Sequence, residues 1–195
     1  MKSSISLVLI AAVVSAGCAH PMIIKPDIAN LTIPATADKI PRNIGLYISG
    51  ENRNKVVTTA GGGGDKVTYH PYADLETGLY KVLGNVFQNV EVLSSVSDVN
   101  VIAKSSLTYI ATPEITTTSS SKGLMTWMAT DFSVQIACKI TDVAGRPVDT
   151  LSATGTGHAV FSELKSDFSL AGERASQDAL LKLQTALLQS SALRK

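Results

Sequence analysis

Several features are missing from this chain, and each absence closes a class of function. Charge of one sign is missing: 17 basic against 16 acidic side chains leave a net charge of +1, so nothing in the balance points to nucleic acid or to an acidic partner surface. A long hydrophobic run is missing too, since the longest, Ile5–Val14, is about half the roughly twenty apolar residues that a membrane-crossing helix needs. The three histidines, His20, His70 and His158, share no spacing with other ligands that would build a metal site. His20 and His70 are expected to be solvated, and His158 to make a cross-strand hydrogen bond. No Gly-x-Ser-x-Gly elbow occurs, and Glu114, Asp131, Asp142, Asp149, Glu163 and Asp167 are too scattered to be argued into an acid-base pair. An enzyme is unsupported, and no cofactor is expected. No repeat with a period of about 20 to 50 residues is visible.

What is present begins at the first residue. Met1-Lys2-Ser3-Ser4 supplies a basic start, and the apolar run that follows ends in Ser15-Ala16-Gly17-Cys18, the pattern of a secretory signal. Small side chains just before the cysteine let a peptidase reach the backbone, and the thiol supplies an acceptor for a diacylglycerol. This stretch resembles the bacterial lipobox, departing from its commonest form at Ser15, where leucine is usual. The resemblance implies a cleaved signal peptide over residues 1–17 and lipidation of Cys18, with palmitate and diacylglycerol as the attached lipid. Ala19 after the modified cysteine, in place of aspartate, implies sorting to the outer membrane with the body facing the periplasm. Several acyl chains at roughly 0.8 kcal/mol per buried methylene make such an anchor effectively permanent. Cleavage leaves 178 residues, 16 of them basic and 16 acidic, enough for one domain with a proper core. Cys138 is then the only free thiol, so no internal disulfide is available.

Residues 18–42, with Pro21, Pro26, Pro34 and Pro41, read as a lipidated tether, although Asn30–Ile33 could also lie as a strand along the domain edge. Residues 43–195 read as a single domain. Asn43–Ser49 predicts a buried strand, Gly50–Asp65 with its four glycines a flexible loop, and Val67–Tyr69 a short strand. Leu75, Leu79, Val82, Leu83, Val86 and Phe87 form one stripe of a helix over 72–87. Strands follow at Val90–Leu93 and Val99–Ala103, and the segment 105–118 continues extended, with Pro113 marking an edge or a bulge. Phe132, Val134, Ile136, Cys138 and Ile140 alternate strictly, predicting a strand with one buried face. A turn at Gly145 returns the chain over 148–160, where Gly155 and Gly157 are expected to weaken or bulge the strand. A last helix of about twenty residues starts near Ser169, its small alanines predicting close approach to the sheet. The sum is an α+β two-layer sandwich, a mostly antiparallel sheet with two main helices on one face.

Gly61–Gly64 followed by Asp65-Lys66 is no phosphate loop, because Asp65 interrupts the motif and Val67 follows the lysine. Cys138 falls on the apolar face and reads as a buried small hydrophobe. Leu124, Met125, Trp127 and Met128, beside the serine-rich 119–123, read equally as a partner-binding patch or as the end of a core strand.

In order, the lipobox, the proline segment, the strand-helix-strand core, the hairpin and the alanine-leucine helix resemble YajG-type outer-membrane lipoproteins, and more distantly the periplasmic α/β domains of CsgG-like and PelC-like export lipoproteins. The resemblance is one of layout and carries no catalytic residue. It implies a non-enzymatic, membrane-anchored accessory or structural component of an envelope assembly, secretion or export complex, working by contact with envelope proteins or with copies of itself. The alternative is a binder of a small apolar or glycan ligand between helices and sheet.

Overall fold

A computed structural model describes residues 18–33, 37–123 and 127–195. The expected signal peptide, and Leu124 and Met125, lie outside the described residues.

The main sheet has five strands in the order β5-β2-β6-β7-β8, where β2 is Ile40–Tyr47, β5 Phe87–Leu93, β6 Tyr109–Ser120, β7 Asp131–Asp142 and β8 Pro147–His158. The pairs β5–β2 and β2–β6 are parallel, while β6–β7 and β7–β8 form the two longest ladders, both antiparallel. The strict alternation along β7 does what it predicts: all five apolar residues are buried on one face. Gly145 takes φ +81° in the turn, a conformation that costs glycine nothing. Pro113 sits where pairing with β2 has already ended at Ala111. Two residues on, the Ile115 amide points away from β7 and donates to the Tyr72 hydroxyl at 3.1 Å, so the missing Pro113 donor falls on a locally unpaired edge.

Two helices cover one face, α2 (Pro71–Val86) and α5 (Leu170–Gln189), with shorter α1 (Gly50–Arg53), α3 (Val99–Lys104) and α4 (Phe161–Leu164). Ala171, Ala175 and Ala179 of α5 lie directly over Gly155 and Gly157 of β8. A Cβ at Gly155 would overlap the Ala175 carbonyl and the Ala179 amide, and one at Gly157 the Ala171 carbonyl. The two glycines therefore neither bulge nor weaken the ladder, whose only register shift is at the other end, between Ile140 and Thr141. They leave room for a helix backbone.

Two expected elements differ. Val99–Lys104 is a helix rather than a strand, because Asp98 caps it by accepting the Val101 amide at 3.1 Å, an N-terminal signal that outweighs the β-branched composition. It packs Val101 and Ile102 on Leu93, Leu107 and Ile110, on the second face of the sheet. The stretch Gly50–Asp65 contains α1 and a strand, β3 (Val57–Ala60), which pairs antiparallel with β4 (Lys66–Tyr69).

The largest difference lies in the segment expected as a tether. Ala19–Pro21 is a strand, β1, parallel to β4 and completing a second, three-stranded sheet β1-β4-β3. From there Met22, Ile24 and Pro26 alternate inward, and the chain runs along the groove between α2 and α5. Positions for Cβ atoms at Gly172 and Gly78 are filled by Ile24 and by Pro26 with Leu180. The Ile23 amide donates to Ser169 Oγ and the Ile24 amide to Asp74 Oδ2, each at 3.2 Å. Asn85 Nδ2 reaches the Leu31 carbonyl at 2.8 Å and Gln184 Nε2 the Thr32 carbonyl at 2.7 Å. Prolines mark the segment as non-helical, yet its apolar residues have nowhere drier to go than the seam between two helices.

Candidate anchoring site

Cys18 is exposed, and it is the last residue before regular structure. Its carbonyl accepts the Lys66 amide at 3.1 Å, and the register Ala19–Lys66 begins with the next residue. His20 is not a solvated tether residue: its ring stacks on Trp127 with centroids 4.1 Å apart and 21° between planes, and its Nε2 lies 3.4 Å from Asp65 Oδ2. Trp127 in turn meets the Phe168 ring edge-on at 4.9 Å. The glycine loop completes the clamp. Gly62 donates its amide to the Trp127 carbonyl at 2.9 Å, and a Cβ at Gly61 would run into the same carbonyl. Gly63 and Gly64 take positive φ to close the β3–β4 turn. Three segments distant in sequence, the glycine loop with Asp65, Trp127 and, behind it, Phe168, thus gather at the residues that follow Cys18, which is why the glycine loop, His20, Asp65 and Phe168 had no shared signal in the sequence.

Of the patch read at Leu124, Met125, Trp127 and Met128, only Trp127 and Met128 lie among the described residues, and they differ in exposure. Met128 is 6% exposed and packs in the core, which leaves it no surface for a partner, because its apolar area is already removed from water within the fold. Trp127 is half-buried in the clamp just described.

Elsewhere, an open depression of about 740 Å³ is lined by Thr118, Ser119, Ser120, Asp131, Ser133, Thr156 and His158. Its charged centre is the cross-strand pair of His158 Nδ1 and Asp131 Oδ1 at 2.8 Å, with Thr130 Oγ1 donating to the other carboxylate oxygen at 2.8 Å. The Thr130 hydroxyl first, and His158 second, hold the Asp131 carboxyl below its ordinary range. His158 makes the cross-strand bond read from its position. His70 is exposed ahead of α2. Burial pushes the Cys138 thiol up to about 12, so no thiolate is present at physiological pH. Among the described residues no group of three potential ligands could hold a metal ion, and no helix is long and apolar enough to cross a membrane.

No protein-family model matches the chain, and no curated protein matches it in sequence. Solved structures do. Protein XCC0632 from Xanthomonas campestris, assigned to the family DUF330, is similar over 87% of this chain and 95% of its own at a TM-score of 0.50 and 8% identity. Looser similarity, at TM-scores of 0.41 and 0.36, links the chain to the PelC dodecamer protein of Paraburkholderia phytofirmans (13% identity, 77% of this chain, 96% of that one) and to a minor lipoprotein of Acinetobacter baumannii (14%, 76% and 94%). At these identities only the fold is shared, and the chain therefore has an α+β fold of the kind seen in XCC0632.

Proposed function

We propose that this protein is an outer-membrane lipoprotein, acylated on Cys18, facing the periplasm, and acting without catalysis through contact with envelope proteins or with further copies of itself. The observation that carries the reading is the position of Cys18: exposed, at one end of the body, and locked to it by β1. A thiol that merely ended a leader would need no such clamp. The YajG-type layout of the sequence belongs to the same reading, as does the expectation that no cofactor takes part. Support for contact rather than chemistry comes from the sealed Cys138, whose thiol is buried and pushed up by that burial.

Labelled palmitate should enter the protein, and Cys18→Ser should abolish the label and release the protein from the membrane fraction. Crosslinking in intact envelopes followed by native mass spectrometry should then give discrete adducts. Unlabelled protein that stays membrane-bound would overturn the anchor, and a strict monomer with no crosslinked neighbour would overturn the contact role.

A second reading, a glycan binder, is favoured by the hydroxyl-lined depression on the open sheet face. An apolar ligand between the helices is not favoured, since Ile24 and Leu31 fill that seam with no exposure. Saturation-transfer NMR with envelope oligosaccharides tests the glycan: transfer lost in His158→Ala supports it, and no transfer ends it.

A further inference from the structure

A lipid-modified residue on a long tether would leave the body free to move away from the bilayer. Here there is no slack: the first residue after Cys18 is already paired to Lys66, and only Ala19 separates Cys18 from His20, a backbone reach of at most about 7 Å. A membrane anchor at Cys18 consequently brings this end of the body to the lipid surface. From the observed side chains we infer that the end is built for that contact: Val160, Phe161 and Phe168, with Lys165 over Phe161, Lys66 beside Cys18 and Lys122 near Asp131, form a surface that seats on the headgroup layer of an anionic bilayer. The inference rests on the acylation of Cys18 proposed above.

Phe161 and Phe168 are 46% and 47% exposed, and Val160 48%. Phe168 joins this surface to the anchor through the ring stack Phe168–Trp127–His20. Val160 and Phe161 follow Ala159, whose amide donates to the Thr130 carbonyl at 2.9 Å, three residues beyond Trp127. Large exposed apolar rings cost free energy in water and gain it when inserted about 5–10 Å into the headgroup and acyl boundary. Of the acids at this end, Asp65 lies against His20, Asp131 against His158 and Glu163 against Arg174, while Asp167 accepts the Ser169 amide and neighbours Glu173, whose carboxyl is held above its ordinary range by burial first and by Asp167 second. Among the described residues Lys66, Lys122 and Lys165 form no ion pair, and Lys165 Nζ lies 5.1 Å over the Phe161 ring. An aromatic ring with an unpaired ammonium above it suits a boundary where the ring goes into the apolar layer and the cation stays with lipid phosphate.

The sole tryptophan of the chain, Trp127, reports on this end without any added label. Full protein, shown by mass to carry its acyl chains, is placed in vesicles of phosphatidylethanolamine and phosphatidylglycerol containing a headgroup nitroxide lipid, and its emission is compared with that in the same vesicles without nitroxide. The expected result is a loss of more than half the Trp127 emission. Phe161→Ser/Phe168→Ser, which changes only half-exposed side chains and is checked by its melting curve, should float with the vesicles as before yet be quenched severalfold less. The acyl-free Cys18→Ser protein should bind the anionic vesicles weakly, with binding lost at high salt. Acylated, floating protein whose emission ignores the nitroxide would overturn the inference while leaving the anchor in place. Absence of acyl chains would overturn both. A change in Trp127 emission when the acyl-free protein is concentrated without lipid would give the face to a second copy and would also overturn it.

Discussion

Cys138 and Gly157 are ordinary residues made exceptional by what lies against them. The thiol, fully enclosed and pushed to about 12 by burial alone, should not react with iodoacetamide in the folded Cys18→Ser protein at pH 8. Labelling should appear only across the urea transition, and mass spectrometry reads it directly. Its place was legible in the sequence because alternation fixes which face of a strand a side chain takes. The reason for Gly157 was not legible, because the helix backbone that excludes a Cβ is supplied by residues 14 positions on, at Ala171. In an open strand Gly→Ala would gain up to about 1 kcal/mol. Here Gly157→Ala should lose about 2–3 kcal/mol by overpacking, and the sign of the change in urea midpoint separates the two cases.

At the scale of elements, the end of β8 is joined to α4 and α5 by one charged knot. Arg174 donates to both carboxylate oxygens of Glu163 and to the His158 carbonyl, and Glu163 also accepts the Val160 amide. These bonds, Arg174 first, hold the Glu163 carboxyl at about 2 against an ordinary 4.5. A carboxyl whose folded value is depressed adds stability that is complete above its unfolded value and lost as the pH falls toward the folded one. The window is therefore about pH 4.5 down to about 2, and Glu163→Gln should show a flatter fall of urea midpoint than the parent across it. The outer edge of β8 is closed by the same helix: Asp178 accepts the Thr156 amide at 3.0 Å and Lys182 donates to the Thr154 carbonyl at 3.0 Å. Charged side chains on an edge discourage strand addition. α3 shows the limit of composition at this scale, since Val99-Asn100-Val101-Ile102 satisfies a strand pattern and one capping carboxylate decides otherwise.

For the molecule as a whole, the N-terminal segment is the structural surprise. Residues 22–32 fill the seam between α2 and α5, so they are part of the core. A tether would tolerate Ile24→Ala silently; the packed Ile24, which is fully buried, should lose about 2–5 kcal/mol when truncated. A chain beginning at residue 38 should expose the seam and bind a hydrophobic dye before any unfolding transition. Equal stability of either variant and the parent in urea would show that the seam does not need this segment. The geometric consequence reaches function, because a lipid-bearing residue without slack fixes the orientation of everything attached to it.

By itself the sequence determined the elements whose signal is local: the alternation of β7, the stripes of α2 and α5, the Gly145 turn and the lipobox pattern at Cys18. Periodicity and chain chemistry depend only on neighbours, so they survive without coordinates. The tertiary structure decided everything that requires residues far apart to meet: the helix lying on Gly155 and Gly157, the ring stack of His20, Trp127 and Phe168, and the folding of residues 19–33 into the body. In each case the deciding quantity is contact between surfaces that only the closed fold brings within a few ångströms of one another.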